Sequence, residues 1–157
     1  MISACQKGEQ WERALSVLAE MPQHELKMDV LSFNAAISAC EKGEQWERAL
    51  SIFGEMHEHK LKPDVISYNA AMTACAKCGK WELAFGYLKQ MRSHGEAPSM
   101  ISYNIAISAC EKGGAQWERP LGMLLEMQEQ AVESDVITYN ALISSCEKGA
   151  KWDWALK

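Results

Sequence analysis

One stretch, "ISACQKGEQWERAL" at 2–15, returns as "ISACEKGEQWERAL" at 37–50 and, one residue longer, as "ISACEKGGAQWERPL" at 107–121. Self-similarity at a fixed period constrains a fold more than any local motif, because every unit must adopt one structure and bury its apolar face on its neighbours. Aligning "VLSFN", "VISYN", "MISYN" and "VITYN" sets units at 30–64, 65–99 and 100–135, the last with one inserted residue, and a partial unit at 136–157. Residues 1–29 form the later part of a preceding copy. Both ends fall inside a copy, so the 157 residues read as one array and as a piece of a longer one.

Within 30–64, Phe33, Ala36, Ile37 and Cys40 recur at i, i+3, i+4 and i+7, which is one face of a helix. Gly43 then interrupts the pattern, as a glycine past a helix end does. Trp46, Ala49, Leu50 and Phe53 repeat the spacing and Met56 continues it, until Pro63-Asp64 closes the copy. Each unit is thus expected to be two antiparallel helices, and the chain an all-α solenoid of stacked helix-turn-helix repeats wound as a right-handed superhelix. Pro22 should bend or shorten the second helix of the first copy, whereas Pro120 falls in a first turn, where its missing N–H matters least.

No apolar run is long enough to span a bilayer, so no membrane partner is expected. The net charge of −5 draws in no phosphate globally and shifts attention to where the lysines sit. Cys5, Cys40, Cys75 and Cys110 are 35 residues apart and Cys146 follows after 36, which reads as one small buried residue per repeat rather than as disulfides. No leader or address is legible before the first copy.

The residues "VISYNAAMTACAKCGKWELAFGYLKQM" at 65–91 and "ALSIFGEMHEHKLKPD" at 49–64 resemble the pentatricopeptide repeat (PPR) family, in its short form with units near 35 residues. The tetratricopeptide repeats, a related peptide-binding family, carry a Trp and a Leu-Gly-x-x-Tyr pattern in the first helix; here the tryptophans open the second helix instead. The resemblance implies binding of single-stranded RNA, one base per repeat, in chloroplasts or mitochondria, in RNA processing, stability, editing or translation. It places base choice on the fifth and last residues of a copy. The fifth residues are Asn34, Asn69, Asn104 and Asn140; the closing residues are Asp29, Asp64, Ser99 and Asp135. By strict count Ser134 closes the longer copy, but Asp135 directly precedes the next start, as Asp64 does.

An asparagine offers both a donor and an acceptor to a base edge, and a neighbouring carboxylate can orient the amide. By the family's pairing, Asn34/Asp64, Asn69/Ser99 and Asn104/Asp135 would read 5′-U-C-U-3′. The second residues, Leu31, Ile66, Ile101 and Ile137, would clamp bases between repeats. Lys7, Lys42, Lys77, Lys112 and Lys148, in register at the end of the first helix, would approach phosphates. Three complete copies are too few for tight binding alone.

Each feature has a plainer explanation. The asparagines and closing aspartates suit helix starts, and the lysines suit the negative end of a helix dipole. The tryptophans read as inter-helix core, the recurring methionines as core filler, and Glu9–Arg13 and Glu44–Arg48 as solvated ion pairs. "CAKC" with His57 and His59 resembles a zinc set, but Cys75 is the regular core cysteine and a single copy carries Cys78. No catalytic constellation emerges; an enzyme, a cofactor, a metal site or a small-molecule substrate is not expected. A helical scaffold that binds a protein or extended peptide is the alternative reading.

Overall fold

The computed structural model describes residues 11–114 and 118–148. Among them the architecture is all-α: α1 (Trp11–Glu20), a 3-10 turn (Met21–His24), α2 (Val30–Lys42), α3 (Trp46–Glu58), α4 (Val65–Lys77), α5 (Trp81–Ser93), α6 (Met100–Gly113), α7 (Glu118–Glu129) and α8 (Val136–Lys148). The stacked helix hairpins expected from the periodicity are what the chain forms. No helix among the described residues is long and apolar enough to cross a membrane.

The hairpins begin and end by repeated local chemistry. Asp29 caps α2 by accepting the Ser32 backbone N–H at 2.8 Å, and Asp64 and Asp135 accept the N–H groups of Ser67 and Thr138 at 2.8 and 2.9 Å. Such caps satisfy donors that the first helical turn leaves open. Second helices end on a left-handed residue, Lys60 (φ 57°), Gly95 (φ 80°) or Ala131 (φ 53°). The next N–H then returns to a methionine carbonyl: Leu61 to Met56, Glu96 to Met91 and Val132 to Met127, at 2.8, 3.0 and 2.8 Å. This is the closing pattern of a helix stopped by a left-handed residue, here mostly without glycine.

Contacts within the chain divide it into two compact units, Met1–Ala74 and Cys75–Lys157. In the first, α2 packs against α1 and α3. Phe33, Ala36, Ile37 and Cys40 of α2 and Ala49, Ile52, Phe53 and Met56 of α3 are buried, and Phe53 meets Tyr68 edge-on at 5.0 Å. Pro22 shortens its helix as expected: α1 stops at Glu20 and the chain continues as a 3-10 turn.

In the second unit, α6 packs on α5, α7 and α8. The buried Tyr103 hydroxyl sits with Arg92 of α5 and Glu126 of α7, which themselves form an ion pair, so one aromatic ties successive second helices together. Pro120 lies in the first described turn of α7 and is buried.

Two expectations are corrected. Trp11, Trp46 and Trp81 are half-buried rather than core. Trp11 and Trp81 lie against the glycine ending the next first helix, with Arg48 over the Trp11 ring at 4.4 Å and Arg119 over Trp81 at 5.6 Å. Second, Glu44 stands in a left-handed turn (φ 57°) before α3, so no i, i+4 helical geometry exists for it with Arg48, which stacks on Trp11 instead. Gly43 follows the end of α2 as expected, with an ordinary φ of −80°, and its lack of a side chain makes room for the Trp11 ring. Glu9 and Trp117 lie outside the described residues, as does Trp152.

Candidate nucleic-acid interface

The first helices α2, α4, α6 and α8 carry the predicted residues in equivalent places. Leu31, Ile66, Ile101 and Ile137, each the second residue of its helix, are 58–74 % exposed. Aliphatic side chains held in water at the same position of four helices contribute nothing to the core of their own hairpins. Lys42, Lys77 and Lys112 are exposed in the last turns of α2, α4 and α6, and Lys148 ends α8. Lys7 lies outside the described residues, and the side chain of Lys148 is not described.

The asparagines meet their closing aspartates. Asn34 donates through Nδ2 to Oδ1 of Asp64 at 3.1 Å, and Asn104 donates to Oδ1 of Asp135 at the same 3.1 Å. Of the two candidates for the closing residue of the longer copy, Asp135 is the one that Asn104 meets; Ser134 faces the Tyr139 hydroxyl at 3.5 Å. Asn34 is 7 % exposed, Asn69 and Asn104 are half-buried and Asn140 is exposed.

Each aspartate is thus a cap and an amide partner at once. Burial pulls the Asp64 carboxyl up, but the hydrogen bonds it accepts, the Ser67 N–H first among them, outweigh it and hold the group below the ordinary 3.8. The Thr138 N–H is the main cause of the lowering at Asp135, helped by the Asn104 amide. Asp29 is lowered first by the Ser32 hydroxyl and then by its N–H.

The middle copy is built differently. Ser99 caps α6 in a reciprocal box with Ser102, each backbone N–H facing the other's hydroxyl. Asn69 Oδ1 is buried and accepts no hydrogen bond among the described residues. A buried acceptor left empty costs about 1–3 kcal/mol, which a donor arriving at that site would relieve.

Two contributors escaped the sequence reading. Ser67 donates to Asn34 Oδ1 and Thr138 to Asn104 Oδ1, both at 2.6 Å, so a third residue joins each pair. The signal was available: the third residue of every copy is Ser or Thr, namely Ser32, Ser67, Ser102 and Thr138. The lysine row also has acidic company, with Glu41 and Glu111 directly before Lys42 and Lys112, and Glu111 accepts from the Ser144 hydroxyl at 2.8 Å. Cys40, Cys75, Cys110 and Cys146 are buried, and Cys78 is exposed just past α4. No three His, Cys, Asp or Glu side chains come together as a metal set among the described residues.

These features define an array of helical hairpins that presents one asparagine, one exposed aliphatic and one lysine per unit from the first helix. Sequence models of the repeat agree along most of the chain: a PPR repeat family model matches 63–112, a pentatricopeptide repeat domain model 16–77, and a PPR repeat model 1–26 and 137–157. The chain belongs to the pentatricopeptide repeat family. No match was found among curated proteins.

Solved structures with the same fold include PPR10 from maize, with a TM-score of 0.83 and 24 % identity over 99 % of this chain and 22 % of that one. PPR10 in complex with an 18-nt psaJ RNA element gives 0.81 and 23 %, again over 99 % and 22 %. The PPR domain of Arabidopsis thaliana protein-only RNase P 1 in complex with tRNA gives 0.84 and 20 %, over 99 % of this chain and 81 % of that one. The chain spans about a fifth of the length of PPR10, 22 %.

Proposed function

We propose that this chain binds single-stranded RNA through the first helices of its repeats, with the fifth and closing residues of each copy acting together on one base. The observation that carries the reading is the repeated amide–carboxylate contact, Asn34 to Asp64 and Asn104 to Asp135, each at 3.1 Å. A carboxylate that spends one lone pair on the asparagine fixes which end of the amide points away from it. The second amide proton and a carbonyl lone pair are then left for a pyrimidine edge.

The order is U-C-U. Asn34/Asp64 and Asn104/Asp135 take uracil, and Asn69/Ser99 takes cytosine, whose exocyclic amino group is the donor that the empty Asn69 carbonyl lacks. Leu31, Ile66, Ile101 and Ile137 pack on base faces, and the lysines face the backbone. Maize PPR10 and the Arabidopsis PPR domain, whose folds this chain shares, were both solved with RNA bound. The process served is RNA processing, stability, editing or translation in a chloroplast or mitochondrion, by occupancy rather than chemistry, and the complete copies alone bind weakly.

The test is a titration of the 157-residue chain with labelled oligonucleotides carrying UCU, single-base changes of it, or a purine run, at two salt concentrations. UCU should bind best, and binding should weaken with salt as phosphate contacts exchange for counterions. Equal affinity for all sequences would reject base reading; salt-insensitive binding of peptides but not RNA would point to a protein-binding scaffold.

A further inference from the structure

We infer that the third-position hydroxyls of Ser67 and Thr138 are positioning residues that lock the Asn34 and Asn104 amides in one of their two flips and so set the choice between uracil and cytosine, an assignment that rests on the RNA reading above.

The argument is a count of protons. Ser67 Oγ lies 2.6 Å from Asn34 Oδ1 and 2.8 Å from Asp64 Oδ1, and it accepts the Asp64 backbone N–H at 3.2 Å. A serine hydroxyl has one proton to give. Asp64 Oδ1 already receives two N–H groups, from Ser67 at 2.8 Å and from Asn34 at 3.1 Å. The Asn34 carbonyl has the nearer claim and is itself buried, so the proton goes there.

Thr138 repeats the arrangement in the other compact unit: 2.6 Å to Asn104 Oδ1, 2.9 Å to Asp135 Oδ1, and an N–H received from Asp135 at 3.2 Å. Ser32 supplies the contrast. There the hydroxyl gives its proton to the Asp29 carboxylate at 2.7 Å. The cap is the same at Ser32, Ser67 and Thr138.

The two contacts act on opposite ends of the amide. Rotating it by half a turn would put the carbonyl against the carboxylate, with no proton between them. Losing the hydroxyl would leave a buried carbonyl empty and remove one of the two contacts that favour this flip over the other. A pyrimidine reader depends on this, because uracil and cytosine differ by exchange of donor and acceptor at two edge positions. An amide free to flip accepts both bases.

The experiment compares Ser67→Ala, Ser67→Thr and Ser32→Ala in the full chain, by affinity for UCU against CCU and by the side-chain amide signals of Asn34 in the RNA-free protein. Ser67→Ala should lower the U-to-C ratio by about two- to tenfold, the span of one net hydrogen bond, and move the Asn34 signals toward those of a solvated amide. Ser67→Thr should keep both. Ser32→Ala, which removes the hydroxyl of a different cap, should leave the ratio unchanged. An unchanged ratio in Ser67→Ala, or an equal loss in Ser32→Ala, overturns the inference. Should the parent itself show no base preference, the RNA reading falls separately, and unchanged Asn34 signals in Ser67→Ala would overturn the locking in the free protein.

Discussion

Asn34 and Asp64, the fifth and closing residues of one copy, meet with the amide nitrogen 3.1 Å from a carboxylate oxygen that also caps helix α4 of the next copy through the Ser67 N–H at 2.8 Å. One side chain therefore serves both the fold and the candidate site, and substitutions at Asp64 should separate the two roles. Asp64→Ser keeps a capping oxygen and reproduces the Ser99 arrangement. It should melt within a few degrees of the parent and prefer cytosine at the first base. Asp64→Ala loses the cap as well, costing about 0.5–2 kcal/mol. Thermal denaturation with a base-swap titration reads both, and retained uracil preference in Asp64→Ser would reject the pair assignment.

The same carboxylates make stability depend on acid. Asp29, Asp64 and Asp135 are all held below the ordinary 3.8, so the folded protein binds fewer protons on them than the unfolded chain does near that pH. Their contribution is fully present above the unfolded value and is lost as pH falls through the lower folded values. Stability should be flat in these groups above about pH 5 and should decline below 4. Carboxyl-carbon NMR titration checks it directly. An Asp64 midpoint above 3.8 would mean that burial wins over the hydrogen bonds the carboxylate accepts.

The cysteines should differ sharply in reactivity. Burial raises the Cys40, Cys75 and Cys110 thiols to about 11, which leaves almost no thiolate at neutral pH. Cys78 is exposed. Brief treatment of the native chain with an alkylating reagent, followed by peptide mass mapping, should label Cys78 well before Cys40, Cys75 or Cys110. Denaturant should equalise them. Fast native labelling of Cys75 would mean that the core face of α4 opens readily.

Much of this architecture was legible because period and chemistry coincide. The i, i+3, i+4, i+7 face of Phe33 to Cys40 is buried as a block, and Pro22 ends its helix where an imino acid must. The pairing of Asn104 with Asp135 rather than Ser134 followed from position relative to the next helix start, and the cap geometry is why that rule worked. The tryptophans were misread because periodicity reports the face of a helix and not its depth at a repeat edge. Ser67 and Thr138 were missed because a Ser or Thr two residues before the asparagine is already explained by capping, and its second hydrogen bond crosses to a residue more than thirty positions away.

The glycines give the last test, because one substitution should act with opposite sign at different sites. A methyl on Gly113 would run into the Gly79 carbonyl oxygen and the Trp81 indole, and one on Gly43 into the Trp11 ring. Backbone cannot turn aside as a side chain can, so Gly113→Ala should cost more than Gly43→Ala, with overpacking of this kind typically worth about 1–3 kcal/mol. Gly54 in α3 and Gly86 in α5 have open space where a Cβ would go and sit inside helices. There alanine removes the backbone entropy that glycine loses on folding, and each change should stabilise by about 0.5–1 kcal/mol. Thermal denaturation of the four single variants, followed by helical circular dichroism, should place Gly113→Ala lowest and Gly54→Ala and Gly86→Ala above the parent. A neutral Gly113→Ala would show that the turn against α6 yields, and with it the close approach that seats Trp81.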